Sequence, residues 1–129
     1  MKDIVDLPGL NAALATLKTP TSLLVRSGGQ LFSCGIPPLD LKTKTILQGD
    51  LKEQTEAVLE IMKQALEGAG SSMEKVVKIT IYVTDTAHFG PVNEVYQRYF
   101  KAPYPVRSFV AVGPWPLPFD VEIDCVAET

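Results

Sequence analysis

Between residues 76 and 84 the side chains alternate, with Val77, Ile79, Ile81 and Val83 set against Lys78, Thr80, Tyr82 and Thr84. A period of two carried by β-branched residues predicts a half-buried strand with the aliphatic set toward the core. Upstream the period lengthens. Leu51, Val58, Met62, Ala65, Leu66 and Ala69 recur at helical spacing, Asp50 with Glu53 has the form of a capping box, and Gly70 closes the run. Downstream, Gly90-Pro91 opens a second helix, since proline is tolerated in a first turn. Its apolar stripe is Val92, Val95, Tyr96 and Tyr99, and it ends before Pro103. The stretch "SLLVRSGGQLFSCG" predicts two short strands around Ser27-Gly28-Gly29, because paired glycines supply the positive φ angles of a tight hairpin. "IPPLDLKTKTILQG" predicts an exposed loop with at most one short edge strand. Residues 1–20 carry few regular signals beyond a turn or two of helix in "LNAALATL". Two final strands, near 106–112 and 119–126, complete the order strand, strand, helix, strand, helix, strand, strand.

Two helices cover only one face of such a sheet. The other face holds Thr80, Tyr82, Phe109 or Val110, and Ala111 or Val112, a half-apolar set that predicts a homo-oligomer. The length of 129 residues suits one domain, residues 1–129, and a composition 46% apolar and 21% charged is that of an ordered globular chain. The net charge of −3, with lysines and arginines scattered, argues against a nucleic-acid partner. The start "MKDIVDLPGLNAAL" lacks the form of a signal peptide, and no window approaches the ~20 apolar residues of a membrane span. The expectation is a cytoplasmic protein with no membrane partner. Cys34 and Cys125, in apolar strand-like surroundings, are then expected to be buried thiols rather than a disulfide.

Few residues carry candidate chemistry. Arg107, at the start of a strand, either presents its planar fork to a ligand carboxylate or sits in a surface ion pair. Glu122 shares its strand parity with Asp120 and Asp124. It belongs either to a solvated acidic face or to a subunit interface, where a partly desolvated carboxylate serves as general base or orients water. His88 is the only histidine and has no second ligand at metal spacing, so neither metal nor cofactor is expected. "SGGQ" lacks the lysine and helix of a phosphate loop, and no nucleophile elbow occurs. Trp115, between prolines, either packs on a neighbour or gates a pocket.

Taken together, "LFSCGIPPLD", "GAGSSMEKVVKITIYVTD", "NEVY", "PVRSFVAV" and "VEIDCVA" resemble the RidA family, also called YjgF or L-PSP, over about residues 20–127 in unbroken order. The resemblance implies a chorismate-mutase-like α/β fold, a mixed sheet with two helices on one face, assembled as a homotrimer with clefts between adjacent subunits. It implies hydrolysis of reactive enamines and imines, such as 2-aminoacrylate and 2-iminopropionate, to 2-keto acids and ammonia. Arg107 then corresponds to the family's carboxylate anchor and Glu122 to the residue that holds or activates water. Gly35 and Asn93 match positions that line or support the cleft. The chain departs from the family pattern in three places. Thr21 replaces a cleft tyrosine, Phe109 a cysteine beside the anchor, and Ile36 a glutamine. With Trp115 at the rim, these changes point to a larger or more apolar substrate. The alternatives are a non-catalytic trimer that binds a small carboxylate or keto acid, and a chaperone or regulator. A ribonuclease fits least, given the charge balance and the single histidine.

Overall fold

The computed structural model describes residues 1–129. Its elements are β1 (Asp3–Ile4), α1 (Pro8–Ala15), β2 (Leu24–Ser27), β3 (Gln30–Ser33), β4 (Leu39–Asp40), β5 (Thr45–Ile46), α2 (Leu51–Gly68), β6 (Val76–Val83), α3 (Phe89–Tyr99), β7 (Val106–Ala111) and β8 (Val121–Glu128). Six strands form one mixed sheet in the order β1-β2-β3-β8-β6-β7. Only β6 and β7 are parallel, joined across α3, while β8 runs antiparallel to both β3 and β6. This is the α/β class; β2, β3, α2, β6, α3, β7 and β8 follow the order that the hydrophobic pattern predicts, and β1, α1, β4 and β5 are additions to it.

The local signals act as their chemistry requires. The Asp50 side chain accepts from the Glu53 N–H at 2.9 Å, and Glu53 Oε1 accepts from the Asp50 N–H at 3.1 Å, closing the capping box of α2. Gly28 and Gly29 have φ of 58° and 78°, so the two-residue turn between β2 and β3 takes the conformation that side-chain-bearing residues resist. α2 buries Val58, Leu59, Ile61, Met62, Ala65 and Leu66, and α3 buries Val92, Val95 and Tyr96. Opposite them the sheet supplies Leu31, Ile79, Ile81, Val83, Val121, Ile123, Cys125 and Ala127, all in one continuous core.

Three expectations need correction. The segment after Pro38 is a two-stranded hairpin, β4 with β5, rather than a loop with at most one strand. β1 adds an edge strand to β2, a pairing between distant residues that local composition does not announce. Val77 does not face the core. The ladder between β6 and β8 pairs Val76 with Ala127 but Lys78 with Val126, so a bulge at 76–77 buries Val76 and leaves Val77 37% exposed.

Register fixes which residues share a face. Ile79, Ile81 and Val83 pair with Arg107, Phe109 and Ala111 on β7, which places those three on the helix-covered side. Thr80 and Tyr82 pair with Ser108 and Val110, and with Asp124 and Glu122 on β8, on the open side. Of the residues left ambiguous by strand parity, Val110 is therefore the open-face one and Phe109 the helix-face one. Exposed apolar side chains on the open face include Ile4, Phe32, Val106 and Val110. Buried Gln54 ties the start of α2 to the entry of β8, donating to the Gly49 carbonyl at 3.0 Å and accepting from the Asp120 N–H at 2.9 Å.

Candidate functional site

Glu122 lies on the open face of β8, and the chain leaving β3 is fastened beside it. Ile36 N–H donates to the Ile123 carbonyl at 2.8 Å, and Ile123 N–H returns a bond to the Ile36 carbonyl at 3.3 Å. This bridge sets Gly35 directly against the glutamate: a Cβ there would stand 1.8 Å from Glu122 Oε1. Glycine at 35 thus lets Glu122 keep this place by a close approach rather than by serving a turn. The carboxylate borders a cavity of about 370 Å³ lined by Gly35, Tyr82, Val112, Gly113, Trp115, Glu122 and Asp124. No cation lines it. Burial, and secondarily the charge of Asp124, push Glu122 up to about 7.

The neighbours of Glu122 are themselves ordered. The Tyr82 hydroxyl donates to Asp124 Oδ2 at 2.9 Å, and this bond is the leading reason Tyr82 holds its proton more firmly than an ordinary tyrosine. Trp115 stacks on Phe119 at 4.7 Å between ring centres and also borders the cavity, so it both packs and lines. Cys34 is half-buried and its thiol is pushed up to about 11 by burial and by Glu122, while Cys125 is pushed up to about 12 by burial. Both thiols are free and inert at neutral pH.

Arg107 occupies the other side of the sheet, on edge strand β7. Its guanidinium donates to Asn93 Oδ1 on α3 and lies over the Tyr96 ring at 4.7 Å and the Phe89 ring at 5.7 Å. Phe109 meets Phe89 edge-on at 5.1 Å. The two ion pairs of the chain join Lys52 to Glu94 and Arg98 to Glu56, so Arg107 is not spent on a surface carboxylate. The Tyr96 hydroxyl is buried with no hydrogen-bond partner; burial raises its pKa and the nearby Arg107 opposes the rise.

The residues singled out in the sequence therefore fall into two groups. Gly35, Glu122 and Trp115 meet at the open-face cavity, and Arg107, Asn93 and Phe109 meet at the β7 edge. Thr21 joins neither; it is exposed, and its hydroxyl bonds only to the Ser22 carbonyl at 3.3 Å. Within one chain no single cleft holds both Arg107 and Glu122. Tyr82, Asp124, Phe89 and Tyr96 were not singled out for chemistry, although strand parity within β8 already placed Asp124 with Glu122. No three His, Cys, Asp or Glu side chains converge as a metal site requires. A separate cavity of about 840 Å³ lies between α2 and residues 99–105 and touches neither Arg107 nor Glu122.

A family model described as Endoribonuclease L-PSP matches residues 11–129. The chain belongs to the L-PSP family. This is the RidA family of the sequence resemblance. A RutC family protein of Pyrococcus horikoshii is 42% identical over 108 residues, which is 84% of this chain and 86% of that protein. The chloroplastic Reactive Intermediate Deaminase A of Arabidopsis thaliana is 36% identical over 126 residues, covering 98% of this chain and 65% of that one. Among solved structures, the Rid-family protein YyfA of Yersinia pestis, of unknown function, superposes over 100% of both chains with a TM-score of 0.90 at 32% identity. L-PSP family membership accounts for the mixed sheet with helices on one face. No helix of this member is long and apolar enough to cross a membrane.

Proposed function

We propose that the chain is a hydrolase acting on C–N bonds, which deaminates reactive enamines and imines of the 2-aminoacrylate and 2-iminopropionate type to 2-keto acids and ammonia. We propose further that it works as a cytoplasmic homotrimer whose clefts lie between adjacent copies. The observation that carries this reading is the pairing of opposites on opposite faces. Arg107 is a held guanidinium with no carboxylate of its own chain, and Glu122 is a half-desolvated carboxylate with no cation of its own chain. A second copy that covers the half-apolar open face can bring its β7 edge, and with it Arg107, to the Glu122 cavity of the first. A small molecule with a carboxylate at one end and an imine at the other fits between them.

The chemistry follows from those two groups. Arg107 accepts the substrate carboxylate in its planar fork, which fixes the imine carbon in place. Glu122, ionised above about pH 7, takes a proton from water as the water oxygen bonds to the imine carbon. The protonated Glu122 returns that proton to nitrogen, giving a carbinolamine. The carboxylate then takes the proton of the new hydroxyl and passes it to nitrogen as the carbonyl forms and the C–N bond breaks, so ammonia leaves and the keto acid remains. Trp115, Tyr82 and Val112 line the cavity, and Phe109 packs on the same Phe89 ring that Arg107 overlies, an apolar setting that favours a substrate side chain larger or more apolar than a methyl group.

The test generates imines in place with an amino-acid oxidase acting on small and bulky amino acids, and follows keto-acid release for wild type, Arg107→Ala and Glu122→Ala. Acceleration by the wild type alone is expected, greatest for bulky side chains. No acceleration for any imine by a folded oligomer would replace this reading with a trimer that only binds a small carboxylate.

A further inference from the structure

The cavity beside Glu122 contains a second carboxylate whose position is not accidental. Asp124 lies two residues along β8 on the same face, and both line the cavity. A negative charge on the same face of a partly dry site opposes ionisation of a second carboxylate, and the surroundings of the two decide how strongly. Here the surroundings differ in a definite way. Asp124 Oδ2 accepts a hydrogen bond from Tyr82 across the β6–β8 ladder at 2.9 Å, which fixes its direction. Glu122 has no side-chain donor; it is set against the Gly35 backbone, where the missing Cβ leaves room for its Oε1.

We propose that the Tyr82–Asp124 pair is a positioning device that adds to burial in biasing Glu122 to be the proton-carrying carboxylate of the cavity. Asp124 supplies a fixed negative charge, and Tyr82 keeps that charge oriented on the face where Glu122 lies. The proposal rests on the deaminase reading for its purpose, since a group that must take a proton from water and return it to nitrogen works best when it titrates near the working pH. The groups facing Glu122 are Cys34 beyond β3, Tyr82 on β6 and Asp124 on β8; Asp120, of the same parity at the entry of β8, accepts from the Thr84 hydroxyl at 3.0 Å. Tyr82 and Cys34 are neutral at pH 7, so Asp124 is the one charge of this chain that bears on Glu122. An arginine brought by a second copy acts in the opposite sense, but it is present whether or not Asp124 is, so a comparison of variants isolates Asp124.

The experiment is a carbon-13 NMR titration of the glutamate side-chain carboxyls in the intact protein, with Glu122 assigned by Glu122→Gln. It needs no substrate. An unreactive wild type in the imine assay would therefore defeat the deaminase reading while leaving this measurement valid. The Glu122 midpoint is expected to fall by roughly half to one pH unit in Asp124→Asn, since a repelling charge is removed while burial remains. Tyr82→Phe should move it the same way by a smaller amount, because the charge stays but is no longer held. Asp124→Ser gives the same reading as Asp124→Asn should the asparagine variant pack badly. An unmoved or rising midpoint without Asp124 would overturn the proposal, and an unmoved midpoint in Tyr82→Phe would remove Tyr82 from it. In the same variants, the acid limb of kcat/KM should follow the NMR midpoint, which a merely structural role for Asp124 would not produce.

Discussion

Replacing Gly35 by alanine tests the construction of the site in a single methyl group. The added Cβ would meet Glu122 Oε1 at 1.8 Å, Cδ at 2.8 Å and Cγ at 3.1 Å, and real Cβ contacts essentially never fall under 3.0 Å. The atoms that must yield belong to the far part of a flexible side chain, and Gly35 is not among the glycines with positive φ. The backbone therefore accepts alanine, and the strain is relieved by moving the glutamate. Retreat of Oε1 from 1.8 Å to at least 3.0 Å carries the carboxylate off its water position. A misplacement of about 1 Å costs on the order of 100-fold in rate. That corresponds to about 2.7 kcal/mol of lost transition-state stabilisation. Stability should change by only about 1 kcal/mol, the usual scale of a tolerated substitution. The assay is kcat/KM on an oxidase-generated imine beside a thermal melt of the same preparation. Full activity would refute the claim that Gly35 places Glu122, and an unfolded protein would refute the claim that only the side chain must move.

Activity should rise with pH through about 7 as Glu122 ionises, whereas stability should run the other way. Its pKa is raised from an ordinary 4.5, so its contribution to stability is full below 4.5 and is lost as pH climbs through about 7. Denaturant melts from pH 4 to 9 should show that loss in wild type and not in Glu122→Gln. Tyr96→Phe removes a buried hydroxyl without a partner and should leave stability within about 1 kcal/mol of wild type or raise it, as measured by urea unfolding. Val110→Asp places a charge on the open face where Val110 is 40% exposed, and should shift the oligomer to folded monomer in sedimentation velocity, with circular dichroism unchanged.

What could be read from sequence, and what could not, divides along the range of the interactions. The capping box of Asp50 and Glu53 and the Gly28-Gly29 turn are closed by neighbours in the chain, so spacing alone announces them. The bulge at Val76–Val77 depends on how β6 meets Ala127 and Val126, residues about fifty positions away, and strict alternation gives the wrong face for Val77. The same limit applies at the site. Parity within β8 groups Glu122 with Asp124, but the bond from Tyr82 needs the β6–β8 register. The register of β7 against β6, set by the α3 crossover, is what turns Arg107 and Phe109 toward the helices and away from Glu122. Arg107 was legible as a candidate by its chemistry and by family resemblance. Its aromatic bed of Tyr96 and Phe89 was not, because those side chains come from α3 and present themselves in the sequence as core stripe and loop.

If Arg107 of one copy and Glu122 of another form one site, subunit mixing will reveal it. Arg107→Ala and Glu122→Ala, each inactive alone, are mixed in equal amounts under conditions that allow exchange, and exchange is verified with a mass tag. If each cleft draws the two residues from different copies, random mixing rebuilds about a quarter of the clefts with both residues intact, and keto-acid release returns to about that fraction of wild type. Verified exchange with no recovery of activity would contradict the shared site.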